Sequence, residues 1–226
     1  MERETLRLAE ALKEEQSWES DGITVLTASV ELPQLAGKSG RARRFNRYYR
    51  GLCRAYLAYC GLLLLPAAAD SCRAALAVSA PWSVARAELR WRPSLQSDAL
   101  LSVVCDIRET IHGLPPFLLR RSEVWDLRAG LPVPLSECFP EHTRCKKTLL
   151  RFAREETLRR MERGALFREN WRAALRRNLN TRSYYLTEEG LCFYYPLCSV
   201  ADAKEAIVTF TMGFHAENGP FLPPAG

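Results

Sequence analysis

Hydrophobic and polar residues alternate in several short stretches of the chain, and this period of two predicts β-strands. In the first stretch, residues 26–32, leucine, alanine and valine alternate with threonine, serine and glutamate. The same pattern covers residues 85–91, 100–110 and 207–214, and we also expect a strand at 117–127 and a hairpin that pairs 183–187 with 191–195. Short turns join most of these strands in sequence, so we expect a mostly antiparallel sheet.

Two longer segments carry apolar residues at spacings of three and four, the period of an amphipathic helix. The first begins after residue 40, and we expect Pro66 to end it because proline breaks the helical hydrogen-bond ladder. The second covers residues 143–163 and should stop at Gly164 in a left-handed cap. The apolar side of the first helix is formed by Phe45, Tyr49, Leu52, Tyr56, Cys60 and Leu63.

The predicted elements form one domain covering residues 1–226, since no repeat, low-complexity tract or linker interrupts them. Within it we expect a short N-terminal helix in residues 1–20 and a sheet with one helix in residues 22–140. Residues 141–214 should add the long helix and a C-terminal β-hairpin. Two amphipathic helices need an apolar surface to cover, so the prediction is an α+β fold with both packed on one face of the sheet.

Composition excludes disordered and fibrous classes, because 47% of the 226 residues are hydrophobic and 26% are charged. The N-terminus is charged from its second residue, which predicts no secretory signal. The most apolar stretch, residues 52–69, is interrupted by Arg54 and Pro66, so we expect a buried helix and no membrane span. The cytoplasm is the predicted location.

The eight cysteines contain no CxxC pair, so their spacing supports neither a zinc ribbon nor a redox motif. Cys53 and Cys60 are seven residues apart on the predicted helix, roughly 10 Å along its axis, which is too far for a disulfide. We therefore expect free thiols that serve as small buried hydrophobic groups.

Positive charge is concentrated in one part of the chain, whose net charge is +6. No acidic residue occurs between Glu31 and Asp70, while the segment 41–54 holds six arginines. With the aromatic side of the helix in the core, these arginines form its solvated side, and we expect them to contact an acidic protein or peptide. Nucleic acid or an anionic surface is the alternative, because arginines interleave with aromatics. The candidates are Arg41, Arg43, Arg44, Arg47, Arg50 and Arg54.

Catalytic motifs are missing from the sequence, which predicts a protein that is not an enzyme and uses no metal or cofactor. None of the three histidines belongs to an HExxH pair, and neither a GxSxG nor a Walker A motif occurs. Glutamate pairs such as 155–156 are sequence neighbours and do not face one another on a helix. His112 lies where a strand ends, near Asp106 and Glu109, and is kept as a further candidate for binding.

The C-terminal third resembles the signature hairpin of the sensor domain of RsiV-type anti-sigma factors. The resemblance is carried by residues 183–201, Ser-Tyr-Tyr-Leu-Thr-Glu-Glu-Gly-Leu-Cys-Phe-Tyr-Tyr-Pro-Leu-Cys-Ser-Val-Ala. A second family segment is similar to Trp-Asp-Leu at residues 125–127 together with Gly-Leu-Pro at 130–132. A third is similar to the predicted strand at 101–106, which is followed by His112 and Gly113. The similarity extends from about residue 25 to residue 214.

This resemblance implies an α+β binding domain, since in the family it is the lysozyme-binding sensor or an accessory domain of peptidoglycan deacetylases. A cell-envelope hydrolase accessory is therefore a further alternative. Only about twenty residues precede the first predicted strand, so we expect neither the sigma-binding segment nor the membrane anchor. The family's Gly-Ala-His-Gly loop is reduced to Ile-His-Gly-Leu at 111–114. Lysozyme is basic and would be repelled by a basic domain, so lysozyme binding is not expected.

Overall fold

The computed structural model describes residues 6–214 and 219–223, which form an α+β fold with a mostly antiparallel arrangement of strands, as predicted. The chain divides into two compact units, residues 1–91 with 105–118 and residues 92–104 with 119–226.

The strands are distributed over two sheets. In the six-stranded sheet they follow chain order, and β2 and β3 pair in parallel, whereas the pairs β1–β2 and β5–β6 are antiparallel. The three-stranded sheet has the order β7–β8–β9 and is antiparallel throughout. The strands are β1 (Leu12–Ser20), β2 (Ile23–Leu32), β3 (Ala85–Gln96), β4 (Leu100–Thr110), β5 (Phe117–Asp126), β6 (Leu131–Pro132), β7 (Tyr184–Leu186), β8 (Gly190–Tyr194) and β9 (Thr209–Gly213).

The prediction of an N-terminal helix in residues 1–20 is wrong for the described part, because Leu12–Ser20 is strand β1. Residues 1–5 lie outside the described residues. Asp21 and Gly22 both have positive φ, 54° and 74°, which is the backbone of a type I′ hairpin turn. This turn folds β1 back onto β2, and pairing along the whole strand outweighs the weak helical pattern of the segment.

The first predicted helix does not end at Pro66. Helix α1 (Gly40–Tyr59) continues through a π-helical turn, Cys60–Leu64, into α2 (Leu65–Ala77). The Leu65 N–H bonds to the Cys60 carbonyl five residues earlier, so the regular α-helical ladder is already rearranged when Pro66 follows. A proline without an N–H is tolerated at the first positions of an α-helix, and here it lies in the first turn of α2.

In the first unit, helices α1 and α2 pack against β2 and bury one side of the continuous helix. Ser39 caps the N-terminus of α1 by accepting a hydrogen bond from the Ala42 N–H. The buried positions of α1 are spaced by three and four residues as predicted. They are Ala42, Phe45, Tyr49, Cys53 and Tyr56.

The continuous helix Gly40–Ala77 contains an 18-residue window with a mean hydropathy of 1.5, of which 33% is buried. By length and composition alone the helix could cross a membrane, and core helices of soluble proteins meet the same condition. Leu62 and Leu63 contribute to this apolar character and are exposed to solvent.

In the second unit, helix α3 (Cys145–Glu162) contacts the short helix α4 (Trp171–Asn178) and strand β9. The chain leaves α3 through Gly164 with φ +91°, so the predicted left-handed cap is confirmed. The core beneath α3 is rich in aromatic and aliphatic side chains, among them Leu149, Trp171, Phe193, Tyr195 and Phe210.

None of the eight cysteines forms a disulfide, and six of them are buried. Burial raises the pKa of the Cys60 thiol to about 11 and that of Cys138 to about 12. These thiols are therefore protonated at neutral pH and pack as small apolar groups.

Candidate functional site: a basic groove beside helix α1

Four of the predicted arginines follow one side of helix α1. Arg43, Arg47, Arg50 and Arg54 are spaced by four, three and four residues, which places them in one row along the helix axis. All four are exposed, and the row borders the side of α1 that packs into the core.

These arginines line a groove of about 840 Å³. Strand β1 supplies the opposite wall with Leu12 and Glu14, and the loop before α1 supplies Gly37 and Lys38. Farther along, a side chain added at Gly61 would place its Cβ 3.3 Å from the Trp18 indole nitrogen, so β1 comes close to the helix there. The groove therefore runs between an edge strand and the arginine row.

Asn46 holds the loop at one end of the groove against the helix. Its side-chain oxygen accepts a hydrogen bond from the Leu35 N–H at 2.8 Å, and its amide nitrogen donates one to the Leu35 carbonyl at 2.9 Å. Because both groups of the amide are used, the loop that carries Lys38 has a defined position beside α1.

Positive charge dominates the groove, since five cationic side chains face one carboxylate, that of Glu14. Among the salt bridges of residues 6–214 and 219–223, none involves the four arginines of the row. Burial raises the pKa of the Cys53 thiol at the groove, and the nearby Glu14 adds to the effect while Arg54 opposes it. Cys53 is thus a neutral group there.

The structure brings only part of the predicted site together. Arg41 and Arg44 do not line the groove. His112 also lies outside it, exposed in the turn between β4 and β5, where its backbone carbonyl accepts a hydrogen bond from the Ser71 hydroxyl at 2.7 Å. Sequence reasoning missed Glu14 and the rest of the β1 wall. The Asp-Gly pair at 21–22, a strong hairpin signal, could have revealed them.

A second group of polar side chains is buried in the first unit at the π-helical turn. Glu109 of β4 is only 6% exposed, and the Tyr59 hydroxyl donates a hydrogen bond to its carboxylate at 3.1 Å. Burial raises the pKa of Glu109, although the hydrogen bond from Tyr59 partly opposes the shift. The same surroundings raise the pKa of Tyr59 to about 12, so this tyrosine remains a donor at neutral pH.

Replacement of Glu109 by glutamine is expected to stabilise the protein at pH 7 by about 1 kcal/mol, since a buried charge is removed and an acceptor for Tyr59 is kept. A raised pKa in the folded state means that the wild-type carboxyl stabilises the fold below its unfolded pKa, about 4.3. That contribution is lost as the pH rises through the folded pKa. Urea unfolding at pH 4 and pH 7 should show the advantage of the variant mainly at pH 7.

The exposed residue Glu15 provides the control, and Glu15→Gln should leave the pH dependence of stability as it is in the wild type. A Glu109→Gln variant that is equally destabilised at both pH values would show that the surroundings of Glu109 stabilise its charged form despite its burial.

The described residues include no group of three or more histidine, cysteine, aspartate or glutamate side chains placed to hold a metal ion. The sequence prediction that no metal is used therefore remains a prediction.

The hairpin that carries the family resemblance has a structural role in the second unit. All its aromatic residues are buried. The Tyr184 hydroxyl donates to the Val133 carbonyl, and the Tyr194 hydroxyl lies 3.1 Å from the hydroxyl of Ser122. The hairpin thus holds the core and does not present its aromatic side chains to a ligand.

Two solved structures have the same fold. A DUF3298 family protein from Bacteroides fragilis aligns with 97% of this chain and 96% of its own length, with a TM-score of 0.65 and 11% sequence identity. A DUF3298 family protein from Pseudomonas aeruginosa aligns with 96% of this chain and 95% of its own, with a TM-score of 0.59 and 12% identity.

No protein-family model matches the sequence, and no curated protein matches it. At such low identity the structural likeness concerns the fold alone. The chain has the fold of the DUF3298 family proteins.

Proposed function

We propose that this chain is a non-catalytic binding domain of the RsiV-like kind that recognises an acidic segment of a protein or peptide through its basic groove. The observation that carries the proposal is the row of Arg43, Arg47, Arg50 and Arg54, which lines one groove together with Lys38. Guanidinium groups bind carboxylates through paired hydrogen bonds, and several in one row favour a ligand with several acidic side chains.

The lining of the groove supports binding rather than catalysis. Apart from the cations, its titratable groups are Glu14 and the buried, protonated Cys53. General acid–base catalysis needs a group that exchanges protons near neutral pH, and nucleophilic catalysis needs an activated nucleophile. We place this binding function in the cytoplasm, and eight cysteines without a disulfide suit a reducing compartment.

A protein or peptide ligand suits the groove better than nucleic acid does. Single-stranded nucleic acids bind by stacking their bases on aromatic side chains, and no aromatic residue is among those described as lining the groove. Phe45 and Tyr49 are buried, and Tyr48 is 40% exposed away from the lining. Lysozyme remains an unsuitable partner because it is basic and the chain has a net charge of +6.

The experiment compares binding of a fluorescent hexaglutamate peptide to the wild type and to the variant Arg43→Gln, Arg47→Gln, Arg50→Gln. Each exposed ion pair contributes up to about 1 kcal/mol, so loss of three should weaken binding roughly 10- to 100-fold. Affinity of the wild type should also fall with added salt, because exposed charges are screened beyond about 8 Å at physiological ionic strength.

The matched control is Arg151→Gln, Arg176→Gln, Arg177→Gln, three exposed arginines outside the groove. Both triple variants reduce the net charge from +6 to +3, so equal loss of affinity in both would mean that only overall charge matters. Capture from a lysate, with and without nuclease, tests the nucleic-acid alternative. Capture that nuclease abolishes would favour it.

A further inference from the structure

Strand β1 has an open backbone edge beside the groove. In the described residues β1 is the end strand of its sheet and pairs only with β2. The N–H and C=O groups on its other edge are thus available to a further strand, and an extended peptide can join such an edge by main-chain hydrogen bonds.

The face of β1 that looks toward α1 has room above it. Leu12, Glu14, Gln16 and Trp18 share one face of the strand because side chains alternate. Leu12 and Trp18 are half-buried, whereas Glu14 and Gln16 between them are exposed. Leu12 and Glu14 line the groove, so the groove lies over the first half of this edge strand.

The dimensions of the arginine row match those of an added strand. From Arg43 to Arg54 the helix rises about 16 Å, at about 1.5 Å per residue. An extended chain covers the same distance in about five residues, at roughly 3.3 Å each. Its side chains on one face repeat about every 6.6 Å, close to the roughly 4.5–6 Å steps between successive arginines of the row.

We propose that the acidic partner binds as an extended strand added to the open edge of β1, with every second side chain acidic and directed at the arginines of α1. This inference rests on the proposed function and specifies the conformation and the sequence pattern of its ligand.

The charges on β1 restrict which strands can add. Lys13 and Glu15 lie on the face opposite to Glu14, and charged residues on an edge strand disfavour pairing with apolar strands. On the face toward α1, a ligand glutamate directly opposite Glu14 would meet a like charge, but the five cationic side chains of the groove outnumber this single carboxylate. A ligand should therefore carry its acidic residues on the face toward Arg43, Arg47 and Arg50 and small polar residues on the other face.

The test measures the affinity of the full chain for an acetylated and amidated peptide, Glu-Thr-Glu-Thr-Glu-Thr-Glu, by fluorescence anisotropy at low ionic strength. Its matched control, Glu-Glu-Thr-Thr-Thr-Glu-Glu, has the same composition and charge but places only two glutamates on each face of an extended chain. We expect the alternating peptide to bind at least about fivefold more tightly. Two further versions of the alternating peptide carry N-methyl groups on the backbone. In one version the glutamate nitrogens are methylated, and in the other the threonine nitrogens.

One methylated version should lose at least about tenfold in affinity and the other should bind nearly as well as its parent, because alternate N–H groups of a strand point to opposite edges. Equal binding by both, with the unmethylated peptide still sensitive to the groove arginines, would overturn strand addition and leave the proposed function standing. If no acidic peptide binds the wild type, the proposed function fails, and the strand-addition inference fails with it.

Discussion

Replacement of Phe193 by alanine is expected to lower the free energy of unfolding by about 3–5 kcal/mol, the usual cost of removing a buried phenylalanine ring. Phe193 of β8 is 1% exposed. Its ring stacks on Phe210 of β9 with 5.4 Å between centroids and meets Tyr195 edge-on at 6.3 Å. The cavity would form inside this aromatic group, where neighbouring strands cannot easily close it.

Urea unfolding followed by circular dichroism measures the effect, with Phe117→Ala as the matched control. Phe117 is 45% exposed, so its loss should change stability by no more than about 0.5 kcal/mol. A loss below 1 kcal/mol for Phe193→Ala would show that the hairpin contributes little to the core of the second unit.

Replacement of Gly190 by alanine is expected to cost about 3 kcal/mol because strand β9 leaves no room for a methyl group. A Cβ at this position would lie 2.2 Å from the Met212 carbonyl oxygen and 2.9 Å from the Gly213 Cα. Both are backbone atoms in a paired strand, so they cannot rotate away, and the β8–β9 ladder itself would have to shift.

The same substitution at Gly51 provides a control, because it should raise the stability of the protein instead of lowering it. Gly51 lies inside helix α1, and apart from its own helix backbone and chain neighbours nothing lies within 4 Å of an added Cβ, so Gly51→Ala should stabilise the protein by about 0.5–1 kcal/mol. Thermal unfolding of the two variants is the measurement. An unchanged melting temperature for Gly190→Ala would mean that β9 can move away from β8.

At Gly190 the sequence predicts the turn, but only the tertiary structure explains why the residue must be glycine. The Glu-Glu-Gly at 188–190 marks a turn between two strands, and the structure confirms that hairpin. The local pattern indicates a flexible residue in the turn. The demand for glycine comes instead from β9, which is about twenty residues further along the chain and approaches Gly190 from its other side.

Local periodicity predicted the elements whose two faces differ strongly. In strand β3 the predicted residues Ala85, Ala87 and Leu89 are buried and alternate with more exposed ones, and the buried side of α1 follows the predicted spacing. In these segments the side chains that must leave water identify both the element and its buried face, because burial of apolar surface dominates folding. The arginine row on the exposed side of α1 follows from the same spacing.

By itself, then, the sequence determined the α+β class, the helix that carries the arginines and the C-terminal hairpin. The tertiary structure decided that Leu12–Ser20 is a strand, that the helix continues past Pro66, and that β1 faces the arginine row across a groove. Each of these depends on contacts between distant parts of the chain, whose free energy a local pattern does not contain. A mostly charged segment such as β1 has no strong preference of its own, so the strand with which it pairs decides its conformation.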